Sequence, residues 1–369
     1  MTKIFDEKFI SYAINLAKKN LGQTAPNPVV GCVIVKNNKI ISIGVTAKNG
    51  RPHAEKIAID KISDKKNLEG ATIYVTLEPC SHFGQTPPCV DEIIKNKFQR
   101  VVIAAQDVDE RVNGEGIKKL RQAGIDVTLG VMQKEALEIN RGFFQAKKTG
   151  RPFVTLKLAT SLDGKIATKN FDSKWITNEK SRQFSHYLRS INDVILVGGN
   201  TVRKDDPSLD CRILGLEDYS PKRVVISQNL DFSSDLKIFQ NLDKIPTIFL
   251  TKNSQSESEI KTLKSRGAEV VLCEEKNGQI DLESALKNLC KLGVNSVLVE
   301  GGQKIATQFL QENLVDELIW IRSAKIIGND GIAAIGEFGF EKISEVLERF
   351  KSAEVKELDG DLAEIFRLK

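Results

Sequence analysis

Histidine is scarce in this chain, with three residues in 369. Cysteine is sparse as well: Cys32, Cys80, Cys89, Cys211, Cys273 and Cys290 are all there is. So few cysteines exclude a disulfide-rich secreted scaffold and fit a reducing cytosol with free or metal-bound thiols. Long apolar runs are missing. Stretches such as "VVIAA" at 101–105 fall far short of the roughly 20 residues a membrane span needs, so no membrane association is expected. The N-terminal "MTKIFDEKFISYAINLAKKN" reads as an amphipathic helix and lacks the apolar core of a signal peptide. A strong charge of either sign is missing too: 54 basic against 49 acidic residues leave +5. There is no basic tail and no Lys/Arg stripe interleaved with aromatics, which argues against nucleic acid. The small excess suits phosphate-bearing ligands. No internal repeat, low-complexity tract or G-x-G-x-x-G motif occurs, and the last absence disfavours a Rossmann domain.

What is present is ordinary for a soluble globular protein, with 41% hydrophobic and 28% charged residues over a length that suggests two domains. In the first half, "VVGCVIV" and "IISIGV" read as strands around an "NNK" turn. "AEKIAIDKI" has helical spacing. "ATIYVTLEPC" is a strand running into Pro79 and Cys80. "VDEIIKNK" (helix), "RVVIAAQ" (strand), "GIKKLRQAG" (helix) and "IDVTLG" (strand) follow. Alternating strands and helices indicate a layered α/β domain. The polar "QAKKTGRP" at 145–152 precedes a fresh strand, "FVTLKLA", so the boundary is expected there, with domains at 1–148 and 149–369. The second half repeats the α/β habit in "DVILVGGNTV", "KRVVIS", "PTIFLT", "AEVVLC" and "NSVLVEGGQKI". The helix "ESEIKTLKSRG" lies between "PTIFLT" and "AEVVLC", and "NSQSESE" reads as a surface loop.

The scarce residues gather around one chemistry. "RPHAEKIAI" puts His53 two residues before Glu55, and "EPCSHFGQTPPC" supplies Cys80 and Cys89, each preceded by proline. A catalytic zinc wants about three protein ligands and one position open to water. His53, Cys80 and Cys89 provide the three, and Glu55 is the base that takes the water's proton and passes it to a ring nitrogen and the leaving ammonia. H-x-E…P-C-x-x-C marks zinc nucleobase deaminases; here eight residues separate the cysteines instead of two. A purely structural zinc site would not need Glu55 and would recruit a fourth Cys or His. His82 is the one candidate close in sequence, and it can instead face a substrate. Asn27, between Pro26 and Pro28, sits on a rigid turn where its amide suits a pyrimidine or ribose edge; the alternative is a loop stiffener. In the second half, strand–Gly–Gly–helix turns at "VLVEGGQKIATQFL" and "LVGGNTVRKDDP" are places where phosphate is held.

These residues carry a resemblance over nearly the whole chain. "TAPNPVVGCVIV", "GRPHAE" and "VTLEPCSHFGQTPPC", then "GRPFVTLKLATSLDGKIAT", "SKWIT", "LRSINDVILVGGNTVRKDDPSL" and "VLVEGG", resemble the bifunctional riboflavin-biosynthesis deaminase/reductase family. The resemblance implies an N-terminal cytidine-deaminase-like three-layer α/β/α domain and a C-terminal dihydrofolate-reductase-like α/β domain. It implies a phosphorylated pyrimidine ribotide as substrate, Zn2+ and NADPH as cofactors, a cytoplasmic enzyme, and a homo-oligomer, dimer or tetramer. Zinc would be held by His53, Cys80 and Cys89 with water as fourth ligand, with Glu55 catalytic and Asn27 and His82 on the substrate. NADPH would meet Ala159, Trp175, Thr201, Asp205, Ser227, Gly302, Gln303, Lys304, Ile305, Ala306 and Thr307. The ribotide would meet Ser173, Arg189, Leu209, Arg212 and Glu300 in the reductase, the two arginines suiting its phosphate. The residues alone also allow Trp175 as core packing, Arg189 as a solvated helix position and Asp163 as a turn former. Two positions depart from the family: Thr46 stands where a histidine is common, and Gln85 where Arg or Lys is common. Two other readings share part of this pattern. A nucleoside or tRNA deaminase with an accessory domain would show Cys-x-x-Cys, and a non-enzymatic zinc module would not need Glu55.

Overall fold

The computed structural model describes residues 3–83, 87–108, 113–346 and 348–369. The chain forms two compact units, Met1–Gly150 and Arg151–Lys369. None of the described helices is long and apolar enough to cross a membrane.

The first unit runs α1 (Lys3–Lys18), β1 (Gly31–Lys36), β2 (Lys39–Val45), α2 (Ala54–Asp60), β3 (Thr72–Leu77), α3 (Cys89–Lys95), β4 (Arg100–Ala105), α4 (Glu115–Gln122), β5 (Asp126–Leu129), α5 (Gln133–Ile139) and α6 (Arg141–Thr149). Its sheet has the order β2-β1-β3-β4-β5. β1 is antiparallel to both neighbours, while β3, β4 and β5 are parallel. The sheet is covered on both faces, which is why β1, β3 and β4 are near-continuous apolar runs. Two glycines set the layers. A Cβ on Gly31 would lie 1.9 Å from the Ala13 carbonyl oxygen of α1, and one on Gly44 would lie 2.0 Å from that of Ala54 in α2. Gly44 pairs with Cys32, so it faces the side opposite to Gly31. Hence α1 and α2 lie on opposite faces. Asp6 fastens α1 further: its buried carboxylate accepts from both terminal nitrogens of Arg100 at 2.8 Å and from the Tyr74 hydroxyl at 3.1 Å.

The second unit runs β6 (Phe153–Thr160), β7 (Lys165–Ala167), α7 (Glu179–Ser190), β8 (Val194–Gly198), α8 (Gly199–Asp205), β9 (Lys222–Ile226), β10 (Thr247–Lys252), α9 (Glu257–Ser265) and β11 (Glu269–Cys273). It continues with β12 (Glu275–Lys276), β13 (Gln279–Ile280), α10 (Leu282–Lys291), β14 (Ser296–Val299), α11 (Gln303–Gln311), β15 (Glu317–Arg322), β16 (Ile332–Ala333), β17 (Phe350–Leu358) and β18 (Asp361–Leu368). Its large sheet has the order β11-β10-β9-β8-β14-β6-β15-β18-β17. The strands from β11 to β15 are parallel, and the β17–β18 hairpin is antiparallel. β6 and β8 leave a slot that β14 later fills. That reversal of strand order opens a crevice at the carboxyl ends, where ligands bind in open α/β sheets.

Helix α6 continues to Thr149 and ends where Gly150 takes a left-handed φ of 71°, so the first unit closes inside the segment 145–152. Helix α9 begins at Glu257, the first residue of "ESEIKTLKSRG", with acidic residues in its first turn favouring the N-terminus, and leaves residues 253–256 of "NSQSESE" as the loop.

Gly31→Ala forces α1 away from β1 and is expected to destabilise the first unit by about 3 kcal/mol or more. Urea unfolding followed by tryptophan-free probes such as far-UV circular dichroism measures this. An unchanged transition would mean that α1 can stand off from the sheet.

Candidate functional site

In the first unit, three element ends meet. His53 is the residue capping α2, and Glu55 lies in that helix's first turn. Cys80 follows β3 through Glu78 and Pro79, and Cys89 opens α3. His53 Nδ1 lies 3.6 Å from Cys80 Sγ and 3.4 Å from Cys89 Sγ. The three donor atoms are all within 4.8 Å of one another, and among the described residues the cluster has no fourth member. Zinc bonds of about 2.0 Å to nitrogen and 2.3 Å to sulfur at tetrahedral angles would set N and S about 3.6 Å apart. One imidazole and two thiols at these spacings therefore fit zinc with a position left open.

The electrostatics suit the same use. The hydrogen bond with Cys89, with His53 adding to it, pulls the Cys80 thiol down to about 4 against the opposing effect of burial. Cys89 is pushed up, first by sharing its proton with Cys80. Its backbone N–H also donates to Cys80 Sγ at 3.3 Å. Glu55 is 3% exposed, and burial is the main cause that raises its carboxyl above the usual range. A carboxyl so raised binds a proton more readily than an exposed one, as a proton carrier requires.

The other expected residues lie as follows. Asn27 is half-buried, and its side-chain amide donates to the Gly50 carbonyl at 2.9 Å. Among the described residues its Oδ1 has no partner, so the amide both braces the loop and keeps an acceptor for a ligand. His82 stands outside the metal cluster with a buried Nδ1 that has no hydrogen-bond partner. Thr46 is buried, and its hydroxyl is spent on Val30, accepting from N–H at 2.9 Å and donating to C=O at 3.4 Å. Gln85 lies outside the described residues.

Sequence reasoning missed Glu78. Its buried carboxylate accepts from the backbone N–H groups of Gly114 and Gly116 at 3.0 Å and of Asp107 and Ile117 at 3.3 Å. Lys119 of α4 adds a 2.7 Å bond to the Ser81 carbonyl. The segment bearing Cys80 is thus clamped to the start of α4 from both sides. A charged residue directly before a Pro-Cys pair was the available signal.

In the second unit, a cavity of about 850 Å³ opens at the carboxyl ends of β6, β8, β9 and β14. It is lined by Ala159, Ser173, Thr201, Asp205, Ser227, Glu300, Gly302, Gln303, Lys304 and Ile305 among the expected residues. Gly302 caps α11 without a side-chain bond, leaving that helix's first N–H groups to the cavity. A Cβ on Gly301 would lie 2.9 Å from Ile305, and one on Gly199 would lie 2.3 Å from Ser227 Oγ. Both turns therefore need glycine, because a side chain there would collide with Ile305 or Ser227 at the cavity wall.

Six expected contacts are not on this wall. Trp175 is 63% exposed, with Arg182 stacked 4.4 Å from its ring centroid, so it is not core packing. Ala306 is fully buried, and Thr307 Oγ1 bonds Gln303 and Gly336 inside the fold. Leu209 is buried and Arg212 exposed on the segment after α8. Arg189 is no solvated position: it grips Glu300 with two bonds of 2.8 and 3.0 Å and the Asp210 carbonyl with a third. Lys157 Nζ reaches the same carboxylate at 3.4 Å. Burial alone would push the Glu300 carboxyl up, but these two cations hold it down at about 2. Asp163 is the turn former, accepting from Ser161 and from the N–H groups of Ile327 and Gly328.

Comparison with known proteins agrees with this division. Residues 3–105 match the model of the cytidine and deoxycytidylate deaminase zinc-binding region, and residues 152–363 that of the RibD C-terminal domain. The riboflavin biosynthesis protein RibD of Aquifex aeolicus is 41% identical, covering 100% of this chain and 99% of that one. That of Escherichia coli is 37% identical over 97% of this chain and 98% of its own. Among solved structures, Acinetobacter baumannii RibD superposes with a TM-score of 0.88 at 34% identity, covering 100% of this chain and 99% of that one. A deaminase/reductase from Thermotoga maritima gives 0.86 at 37% identity over 100% and 99%.

Glu78→Ala leaves four backbone N–H groups without their acceptor and loosens the Cys80 segment. It is expected to weaken zinc affinity by about 10- to 100-fold, measured by competition with a chromogenic chelator. Unchanged affinity would show that the clamp does not position the ligand.

Proposed function

Because this chain belongs to the RibD family of riboflavin biosynthesis proteins, a bifunctional deaminase and reductase using zinc and NADPH, we propose that its two units divide the work. Residues 1–148 deaminate 2,5-diamino-6-(5-phosphoribosylamino)pyrimidin-4-one. Residues 149–369 then reduce the ribosyl group of the product to ribityl. The observation that carries the first assignment is the His53–Cys80–Cys89 cluster with buried Glu55 beside it.

His53, Cys80 and Cys89 would hold zinc, which would supply the Lewis acidity that makes a water nucleophilic near neutral pH. Glu55 takes one proton from that water and delivers it to the ring nitrogen as the oxygen adds to ring C2, then carries the added hydroxyl's remaining proton to the amine, so that the C2–N bond breaks, ammonia leaves and the carbonyl forms. The Asn27 amide orients the ligand edge, and His82, whose Nδ1 has no protein partner, donates to or accepts from the substrate.

NADPH supplies the hydride in the second unit. Ala159, Thr201, Asp205, Ser227 and residues 302–305 line its cavity, Trp175 flanks it from the surface, and Ala306 and Thr307 hold the helix start. Ser173 and Glu300 face the ribotide. Arg189 fixes Glu300 and, through the Asp210 carbonyl, the segment that carries Leu209 and Arg212. Arg212 is exposed and has guanidinium donors available for the ribotide phosphate, its side chain pairing among the described residues with Asp210 at 3.5 Å.

We also infer a cytoplasmic homo-oligomer, dimer or tetramer. The low cysteine content supports the compartment, and the outer edge of β17 at the rim of the sheet supports pairing.

The whole reading is tested by incubating the protein with the diaminopyrimidine ribotide and identifying products by mass. Without NADPH the expected change is replacement of one amino group by oxygen; with NADPH a further two hydrogens are gained. No change under either condition would refute it. Glu55→Gln is expected to keep the metal yet lower the deamination kcat by about 10²- to 10⁴-fold. Normal deamination by that variant would refute the proton-carrying role.

A further inference from the structure

We infer that Arg203 is the residue that selects NADPH over NADH, by binding the phosphate on the 2′ position of the adenosine ribose. The inference rests on the reading of the second unit as an NADPH-dependent reductase and adds the determinant of its cofactor preference.

The cavity has two chemically distinct ends. At the carboxyl ends of β6 and β14, Lys157 and Glu300 converge, and with Arg189 they form a buried charged cluster. Such a cluster marks the reacting end, where the hydride and the ribosyl group meet. The strand order β9-β8-β14-β6 puts the end of β9 three strand spacings away, about 14 Å. A dinucleotide laid across these ends, with its pyrophosphate over the glycine turns after β8 and β14, brings its adenosine ribose to β9.

Arg203 occupies that far end. It projects from α8 into the cavity wall beside Ser227 and Asn229, the residues that follow β9. One terminal nitrogen donates to Ser227 Oγ at 3.3 Å and to the Asn229 carbonyl, the other donates to Asn200 Oδ1 at 3.3 Å, and its Nε donates to the Asp231 carbonyl at 3.1 Å. The guanidinium also stacks 4.2 Å from the centroid of the Phe232 ring. These contacts hold the side chain in one orientation, and among the described residues no carboxylate oxygen forms a direct ion pair with it, the Asp231 carboxylate acting on it only through space. A fixed, unpaired guanidinium beside a serine hydroxyl is a phosphate receptor. An arginine near the ribose is the general means of accommodating a 2′-phosphate. Lys204 lies next in sequence, but its ammonium sits over the exposed Phe171 ring at 3.7 Å. Lys304 belongs to the start of α11, on the pyrophosphate side.

The test uses the full-length protein and two fragments of the cofactor, 2′,5′-ADP and 5′-AMP, titrated calorimetrically. Wild type is expected to prefer 2′,5′-ADP, and Arg203→Ala to lose that preference by about 10- to 100-fold, as loss of a charge-assisted bond implies. Arg203→Gln keeps amide donors for the Asn229 and Asp231 carbonyls and serves if the alanine variant folds poorly; the same loss is expected. With the ribotide present, the ratio of kcat/KM for NADPH to that for NADH should fall by the same factor. Retention of the preference in both variants, or its erasure by Lys204→Ala instead, would overturn the inference. A wild-type protein that does not oxidise NADPH with the ribotide would sink the parent reading, a result separable from the other two.

Discussion

The first unit depends on one convergence: two thiols brought within 3.6 and 3.4 Å of a single imidazole nitrogen. Three separate elements must end at that point. Gly44 lets α2 sit close on the sheet and so fixes where His53 and Glu55 stand. The strand β3 delivers Cys80, and α3 begins at Cys89 with its first N–H on the Cys80 sulfur. Thiols this close share one proton without a metal, which is why Cys80 is pulled down while Cys89 is pushed up. A divalent cation resolves the conflict by taking both as thiolates. Glu55 feels the same crowding, since burial beside the cluster raises its carboxyl.

The second unit solves a different problem with its backbone. Its strands from β11 to β15 are parallel, so their carboxyl ends share one edge, and the slot filled late by β14 opens that edge into a crevice. Glycines at 199 and 301 let the turns after β8 and β14 pack tightly against Ser227 and Ile305 at the cavity wall, while the Arg189–Glu300–Lys157 cluster stiffens its other end. Charge is concentrated there in a way that overall composition hides, because a cation on α7 and another on β6 neutralise one carboxylate. Two chemistries on one phosphorylated substrate thus use different devices, a metal cluster in one unit and a cofactor cradle in the other.

Much of this was legible because its chemistry demands rare residue types. His53, Glu55, Cys80 and Cys89 were readable since zinc ligation leaves few substitutes, and the Gly-Gly turns since close approach excludes side chains. Apolar strands buried on both faces were readable as continuous runs. Other features depend on partners far away in sequence. Glu78 reads as one more carboxylate until its four N–H donors, 29 to 39 positions away, are known. Arg189 reads as a surface helix residue until Glu300 arrives 111 positions later. Arg203 is one of 54 basic residues in the sequence and acquires meaning only through Ser227 and Phe232. The β17–β18 hairpin went unread, since β17 is largely exposed and shows no apolar run.

The central claim is that two independent sites divide one pathway step each. It is tested most directly by Cys80→Ser, assayed for zinc content, for deamination of the diaminopyrimidine ribotide, and for NADPH-dependent reduction of ribotide that has already been deaminated. The account predicts that zinc and deamination are lost while reduction proceeds at the wild-type rate. A folded Cys80→Ser protein that deaminates normally, or that loses reduction together with deamination, would contradict it.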